Sequence, residues 1–185
     1  WKIEYSDGRI EEYGQNSTSR LENEDGTRIS KWFIDKKTDK NDNSIQYKYV
    51  KNGNNVYPEC IYYPLRNNDF NNAPYKVCFT LEDRLDKRAS YSEIFLIEEL
   101  KRISKVEIFV QSKLRREYRL IYSPSPLMER SLLASIRETA FSDLGEAISR
   151  PQTSFSYSKN NGVNFTRVSA PDLHRIQESF GTAIL

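Results

Sequence analysis

The sequence predicts an all-β fold made of antiparallel sheets of hairpins. Apolar residues recur with period two rather than 3.6 in the clearly patterned segments. Polar turn dipeptides separate those segments, and the segments themselves are rich in Tyr, Phe, Val and Ile.

Each element follows from these signals. Residues 1–5 and 10–13 flank Asp7-Gly8, a strong short-range hairpin signal. Asp25-Gly26 breaks the chain again. Residues 39–43, all polar, form a turn between runs at 31–37 and 44–50. In the second run Ile45, Tyr47 and Tyr49 fall on one strand face, and Gln46 and Lys48 on the other. Asn52-Gly53 follows as a turn. Val77, Phe79 and Leu81 alternate with Cys78 and Thr80. Val106, Ile108 and Val110 alternate with Glu107, Phe109 and Gln111. Tyr118, Leu120 and Tyr122 alternate with Arg119 and Ile121, and Asn161-Gly162 marks a late break.

Two segments carry mixed signals. Ser90 to Glu93 has the form of a capping box, followed by Ile94, Ile97, Leu100 and Ile103 at helical spacing, yet Ile94, Leu96 and Leu100 also alternate. Residues 127–136 are similarly mixed. One short helix in either place stands as an alternative to a strand.

The length, 185 residues, suits one domain or a large piece of one. The chain starts at Trp1 and the pattern weakens after Val168. The expected organisation is a β-rich segment over 1–167 and a connector over 168–185, leading toward a following domain, within an excerpt of a longer protein. Hydrophobic residues are 37% and charged residues 29% of the chain, which is polar for a globular protein; 12 Tyr, 9 Phe and 2 Trp still supply apolar area, so disorder is not expected. The net charge of +2 gives no basis for a nucleic-acid partner. Lys36, Lys37, Lys40, Lys48 and Lys51 interleave with Asp35, Asp39 and Asp42, as on a solvated face of mixed charge. No run approaches the ~20 apolar residues of a membrane-spanning helix. Cys60 and Cys78 lie in separate apolar strand-like runs; buried free thiols are expected, with a disulfide as the alternative.

Chemical constellations are few. His174 is the one histidine and sits in the weakly patterned tail, so neither a nucleophile–imidazole system nor a zinc site is expected. Asp39, Asn41 and Asn43 alternate as at the start of a calcium loop. Ser44 and Val50, however, stand where the sharp-turn glycine and closing glutamate belong, so residues 39–43 read as a turn. Ser17-Thr18-Ser19 and Glu22-x-Glu24 echo motifs of ADP-ribosyl transfer, but they are nearly adjacent and read as loop residues. Asn16 and Asn164 begin N-x-S/T triplets of no evident consequence. The tyrosines could stack on sugars, and sheets use them as readily for packing. Glu98 and Glu99 are no more than neighbouring carboxylates. No catalytic, cofactor-binding or metal-binding residues are assigned, and no enzyme activity is expected.

The order of residues carries a resemblance. Tyr13-Gly14, Ser17 to Arg20, Ile29-x-x-Trp32-Phe33-Ile34, Asp39 to Ile45, Tyr47 and Tyr49 resemble the Salmonella virulence plasmid B protein domain, also found in the B component of insecticidal toxin complexes. The series continues through Tyr57-Pro58, Ile61, Tyr63, Val77, Phe79, Arg84, Asp86, Tyr91, Lys101-Arg102-Ile103, Val106, Ile108, Arg116, Tyr118, Leu120, Tyr122, Arg130-Ser131, Leu133, Ile136, Phe155 and Tyr157. Residues 39–49 also look like a YD repeat of Rhs proteins, with Asp42 where that turn has Gly. The resemblance implies the C-terminal part of the virulence-plasmid-B domain. It further implies an Rhs-like β-shell segment of a secreted bacterial toxin, extracellular after release and cytoplasmic before it, that helps encapsulate and deliver a toxic effector. The implied partners are an FG-GAP β-propeller and Rhs shell in the same chain and other toxin-complex subunits, with no direct membrane insertion. A glycan- or cell-surface-binding β module is the alternative.

Overall fold

The computed structural model describes residues 1–65, 73–91, 93–125 and 130–157. His174, Asn161-Gly162, Asn164 and the connector expected over 168–185 lie outside the described residues. Alternating side chains and closely spaced turns produce an antiparallel meander. The first hairpin pairs β1 (Lys2–Glu4) with β2 (Ile10–Tyr13), Ile3 opposite Glu11, with Gly8 at φ 87° in the turn. The chain then leaves the sheet for a 3-10 turn at Ser17–Ser19 and a small hairpin of β3 (Arg20–Glu22) and β4 (Ile29–Trp32). It returns as β5 (Ile34–Thr38) beside β2.

From there each strand lies beside its predecessor. β6 (Ser44–Asn52), β7 (Asn55–Leu65), β8 (Tyr75–Ser90), β9 (Ile97–Val110), β10 (Lys113–Pro124) and β11 (Ser131–Phe141) extend the same sheet. β12 (Ala147–Ser149) and β13 (Thr153–Ser154) both return along β11. The β5–β6 turn is the expected polar one. Asp39 accepts hydrogen bonds from the Asn41 and Asn43 amides, and Asp42 holds φ 61°. The left-handed conformation stands where the YD-repeat turn has Gly.

One layer dominates, so little is fully enclosed. The buried apolar residues among those described are Leu21, Val56, Tyr57 and Leu65. Leu21 comes from the β3–β4 hairpin, and β3 packs on β7. Glu22, also buried, is paired there with Lys51 Nζ at 2.7 Å and Arg20 Nε at 3.3 Å. Most remaining strand residues are half-buried, as in a sheet with two accessible faces.

Three expectations are corrected. The helix alternative at 90–103 gives way to strand: Ser90 ends β8, and the chain resumes pairing at Ile97. Between them Ile94 has φ 72°, which ends any right-handed helix, and its side chain is 81% exposed. Residues 131–136 belong to strand β11, where pairing to β10 overrides local helical spacing. The one helical element among the described residues is the turn at Ser17–Ser19, in a stretch read as loop. Its Asn16 cap accepts from the Thr18 amide at 3.0 Å. Finally, Cys60 and Cys78 are not free thiols. The β7–β8 register sets them directly opposite, with Cα atoms 4.1 Å apart, and they form a disulfide. Each cysteine lies on a separate strand, so only the register shows that they meet.

Candidate functional site

The sheet has a narrow seam. β7 and β8 are in register only from Cys60 opposite Cys78 to Tyr63 opposite Tyr75. On one side β6 and β7 pair from Ser44–Leu65 to Asn52–Asn55, and on the other β8 and β9 run together from Tyr75–Val110 to Ser90–Ile97. Past Cys60, toward its N-terminal end, β7 is tied to β9 by side chains. The Tyr57 hydroxyl accepts the Leu100 and Lys101 amides at 3.1 and 3.2 Å. Asn54 and Asn55 donate their side-chain amides to Leu96 O at 3.0 Å and Glu98 O at 3.2 Å.

β8 bulges opposite the strand segment that Tyr57 contacts. Between the Asp83–Lys101 and Arg88–Glu99 pairs, residues 84–87 face only Leu100. The bulge carries a charged network. Arg84 donates to Asp86 Oδ2 at 2.9 Å and to Glu99 at 3.3 Å. Asp86 also accepts the Ser131 amide at 2.9 Å and hydroxyl at 2.5 Å. The Arg84 hydrogen bond, with those of Ser131 next, holds the Asp86 carboxyl well below the usual carboxylate range, and the same ion pair raises Arg84. Arg102 reaches Glu82 at 2.6 Å and Ser131 Oγ at 2.5 Å, and its guanidinium lies 4.2 Å from the Tyr122 ring centre.

Beside this network lies an open groove of about 470 Å³ lined by Glu82, Arg102, Ser104, Lys105, Arg119 and Tyr122. Its cations are already matched: Arg102 with Glu82, Lys105 with Glu107 at 2.9 Å, and Arg119 with Glu117 at 3.1 Å. The groove therefore offers little unbalanced charge to an anion. Nor does it hold a nucleophile beside a base. Ser131 hydrogen-bonds Asp86, a carboxylate too weakly basic to take its proton, and no histidine lies among the described residues. The arrangement locks β8, β9 and β11 together.

The motif residues take structural places. Ser19 is fully buried and its carbonyl accepts the Phe33 amide at 2.8 Å, while Glu22 pairs with Lys51. Glu99 pairs with Arg84, and Glu98, next along the strand, points to the other face. Both carboxylate oxygens of Asp39 serve its own turn, the second taking Asn43 Nδ2 at 3.0 Å. Among the described residues no cluster of three or more His, Cys, Asp or Glu could hold a metal ion. Tyrosine hydroxyls are engaged within the fold: Tyr49 donates to Ile34 O at 2.8 Å, Tyr122 to Ile103 O at 2.7 Å and Tyr157 to Leu133 O at 2.9 Å. Sequence reasoning missed the bulge network, since Arg84, Asp86 and Ser131 carry no local signal of convergence.

By fold, the chain is an all-β module similar to parts of several solved structures. It superposes on a chain of the crystal structure of TcdB2-TccC3-Cdc42 with a TM-score of 0.75 at 14% identity, over 86% of its own length and 10% of that chain. The TcdB2-TccC3 structure matches equally at 14% identity, with a TM-score of 0.73 over 85% of this chain and 10% of that one. The N-terminal domain of effector protein SpvB from Salmonella typhimurium strain LT2 gives a TM-score of 0.65 at 16% identity, over 77% of this chain and 61% of that chain. More particularly, residues 1–91 match the model of the SpvB family, described as Salmonella virulence plasmid 65kDa B protein. The resemblance read from the motifs is thereby found in the first half of the chain. The chain spans a tenth of the toxin-complex chains it matches. No curated protein matches it.

Proposed function

We propose that this chain is a structural wall segment of a secreted bacterial toxin protein, one that helps enclose a toxic effector and deliver it, and that it has no catalytic role of its own. The observation that carries this reading is the single-layer sheet. Eleven strands form one sheet with few fully buried apolar residues, and its fold is that of a tenth of a toxin-complex chain. A sheet of this form separates two spaces, and its half-buried faces suit neighbouring sheets, an enclosed lumen, or both. Its partners on this reading are the rest of its own polypeptide and other toxin-complex subunits. On this reading the described strands make the wall. The disulfide fits an exported protein, because thiols in the cytosol are kept reduced.

Limited proteolysis of the full-length protein, with and without residues 1–185, tests this reading. A C-terminal fragment protected only when the segment is present supports a wall. Equal resistance in both forms, or protection in neither, defeats it.

A further inference from the structure

We infer that the Cys60–Cys78 disulfide is a redox-sensitive clasp on the β7–β8 seam, so that a dithiol reductant loosens the join between two otherwise continuous halves of the sheet. This inference stands independently of the wall reading. Three observations meet at the clasp. The seam is the shortest ladder between consecutive strands from β6 to β11, four residues on each strand. The disulfide joins the last registered pair, at the point where β7 and β8 part. Both cysteines are half-buried, whereas Leu65 at the other end of β7 is fully buried, so exchange at sulfur does not require unfolding.

An antiparallel ladder frays from its open end. At the other end of this one, the chain itself connects β7 to β8. At the open end the disulfide is the direct bond between the two strands. With the bond intact, β7 and β8 cannot separate at Cys60. With it broken, three cross-strand pairs and the stacked rings of Tyr63 and Tyr75, 5.5 Å apart, remain in the ladder. The ladders on either side, β6–β7 and β8–β9, are two to three times longer and have no disulfide across them. The Tyr57 and Asn55 hydrogen bonds to β9, with that of Asn54 to Leu96 just before it, then limit how far the halves part, so reduction gives local opening rather than unfolding.

The chemistry balances with a dithiol as co-reactant. One thiolate attacks a cystine sulfur, the S–S bond breaks, and a mixed disulfide forms. The second thiolate attacks that bond and leaves as part of an oxidised cyclic disulfide. Two electrons and two protons pass to Cys60 and Cys78. The segment is closed in an oxidising medium and loosened in a reducing one.

Hydrogen exchange read by mass spectrometry on the intact chain, oxidised and after treatment with dithiothreitol under native conditions, tests the clasp. Exchange of amides in 60–63 and 75–78 should quicken about tenfold or more, from the loss of closure over the 18-residue separation. Amides of β10 and β11 should not change. The Cys60→Ser/Cys78→Ser double variant should match the reduced protein and ignore dithiothreitol. Resistance of the bond to reduction in the folded chain, unchanged exchange at the seam, or protection lost evenly along the chain would each overturn the clasp. So would a double variant that fails to fold, because the bond would then hold the whole fold rather than the seam.

Discussion

Asp86 accepts both the amide and the hydroxyl of Ser131, at 2.9 and 2.5 Å, although β9 and β10 lie between their two strands in the sheet. The contact makes the bulge of β8 reach over its neighbours. Asp86→Asn removes the ion pair with Arg84 and should lower unfolding stability by about 1–3 kcal/mol, read from denaturant midpoints. A carboxyl held low in the folded state stabilises above its unfolded value, near 3.9, and that contribution falls away as pH drops toward the folded value. The gap between wild type and variant should therefore narrow below about pH 4. A gap that stays constant into acid would rule out an ionic origin.

Tyr57→Phe deletes one oxygen and leaves the Leu100 and Lys101 amides without their acceptor in a buried place. A loss of about 2 kcal/mol is expected, with little change in strand content by circular dichroism. A neutral result would mean that water or Asn55 takes over the role.

Gly14 has φ 59°, and a Cβ built there would lie 2.3 Å from Trp32 Cδ1. Trp32 is in turn held edge-on to Trp1, ring centres 5.7 Å apart. Gly14→Ala adds left-handed strain to a clash that the half-exposed Trp32 ring must shift to relieve, so about 1–3 kcal/mol should be lost. Calorimetry measures this directly, and a shift of less than one degree would refute the packing described.

The β9–β10 hairpin closes through Gln111 and Ser112, both left-handed at φ 48° and 63°. Mirror-image two-residue turns favour Asn-Gly. The double change Gln111→Asn/Ser112→Gly should raise stability by about 1 kcal/mol, visible as a higher thermal midpoint.

Two tyrosines should titrate late. The Glu11 hydrogen bond, with burial next, pushes Tyr13 up to about 12, and burial, with the Asp35 charge next, pushes Tyr49 up to about 12. A raised folded value favours the neutral phenol, so this contribution is whole below the ordinary value of 10 and is lost as pH rises from there through about 12. Tyrosinate absorbance should show these late ionisations merging with alkaline unfolding, and Tyr49→Phe should remove one of them.

The meander was legible because its signals are local. Alternation in residues 44–50 and 106–110, with Asp-Gly and Asn-Gly between runs, needs no knowledge of the rest of the chain. The Gln111-Ser112 turn left no such mark, because neither residue favours left-handed backbone on its own. At 90–103 helical spacing and alternation coincide, and pairing with β8, a long-range event, decided between them. The disulfide and the Asp86–Ser131 contact depend on register across strands, which one-dimensional pattern does not carry.

The thinness of the sheet bears on how such a chain evolves. Backbone ladders hold it together, and any residue except proline supplies those hydrogen bonds. Where few side chains sit in an enclosed core, few positions are restricted by volume. Lineages can then exchange most of their sequence while strand order persists, a pattern that accords with relatives sharing this fold at low identity. Constraint should gather instead at the few enclosed or strained places: Gly14, Ser19, Tyr57, Leu65 and the Asp86 bulge.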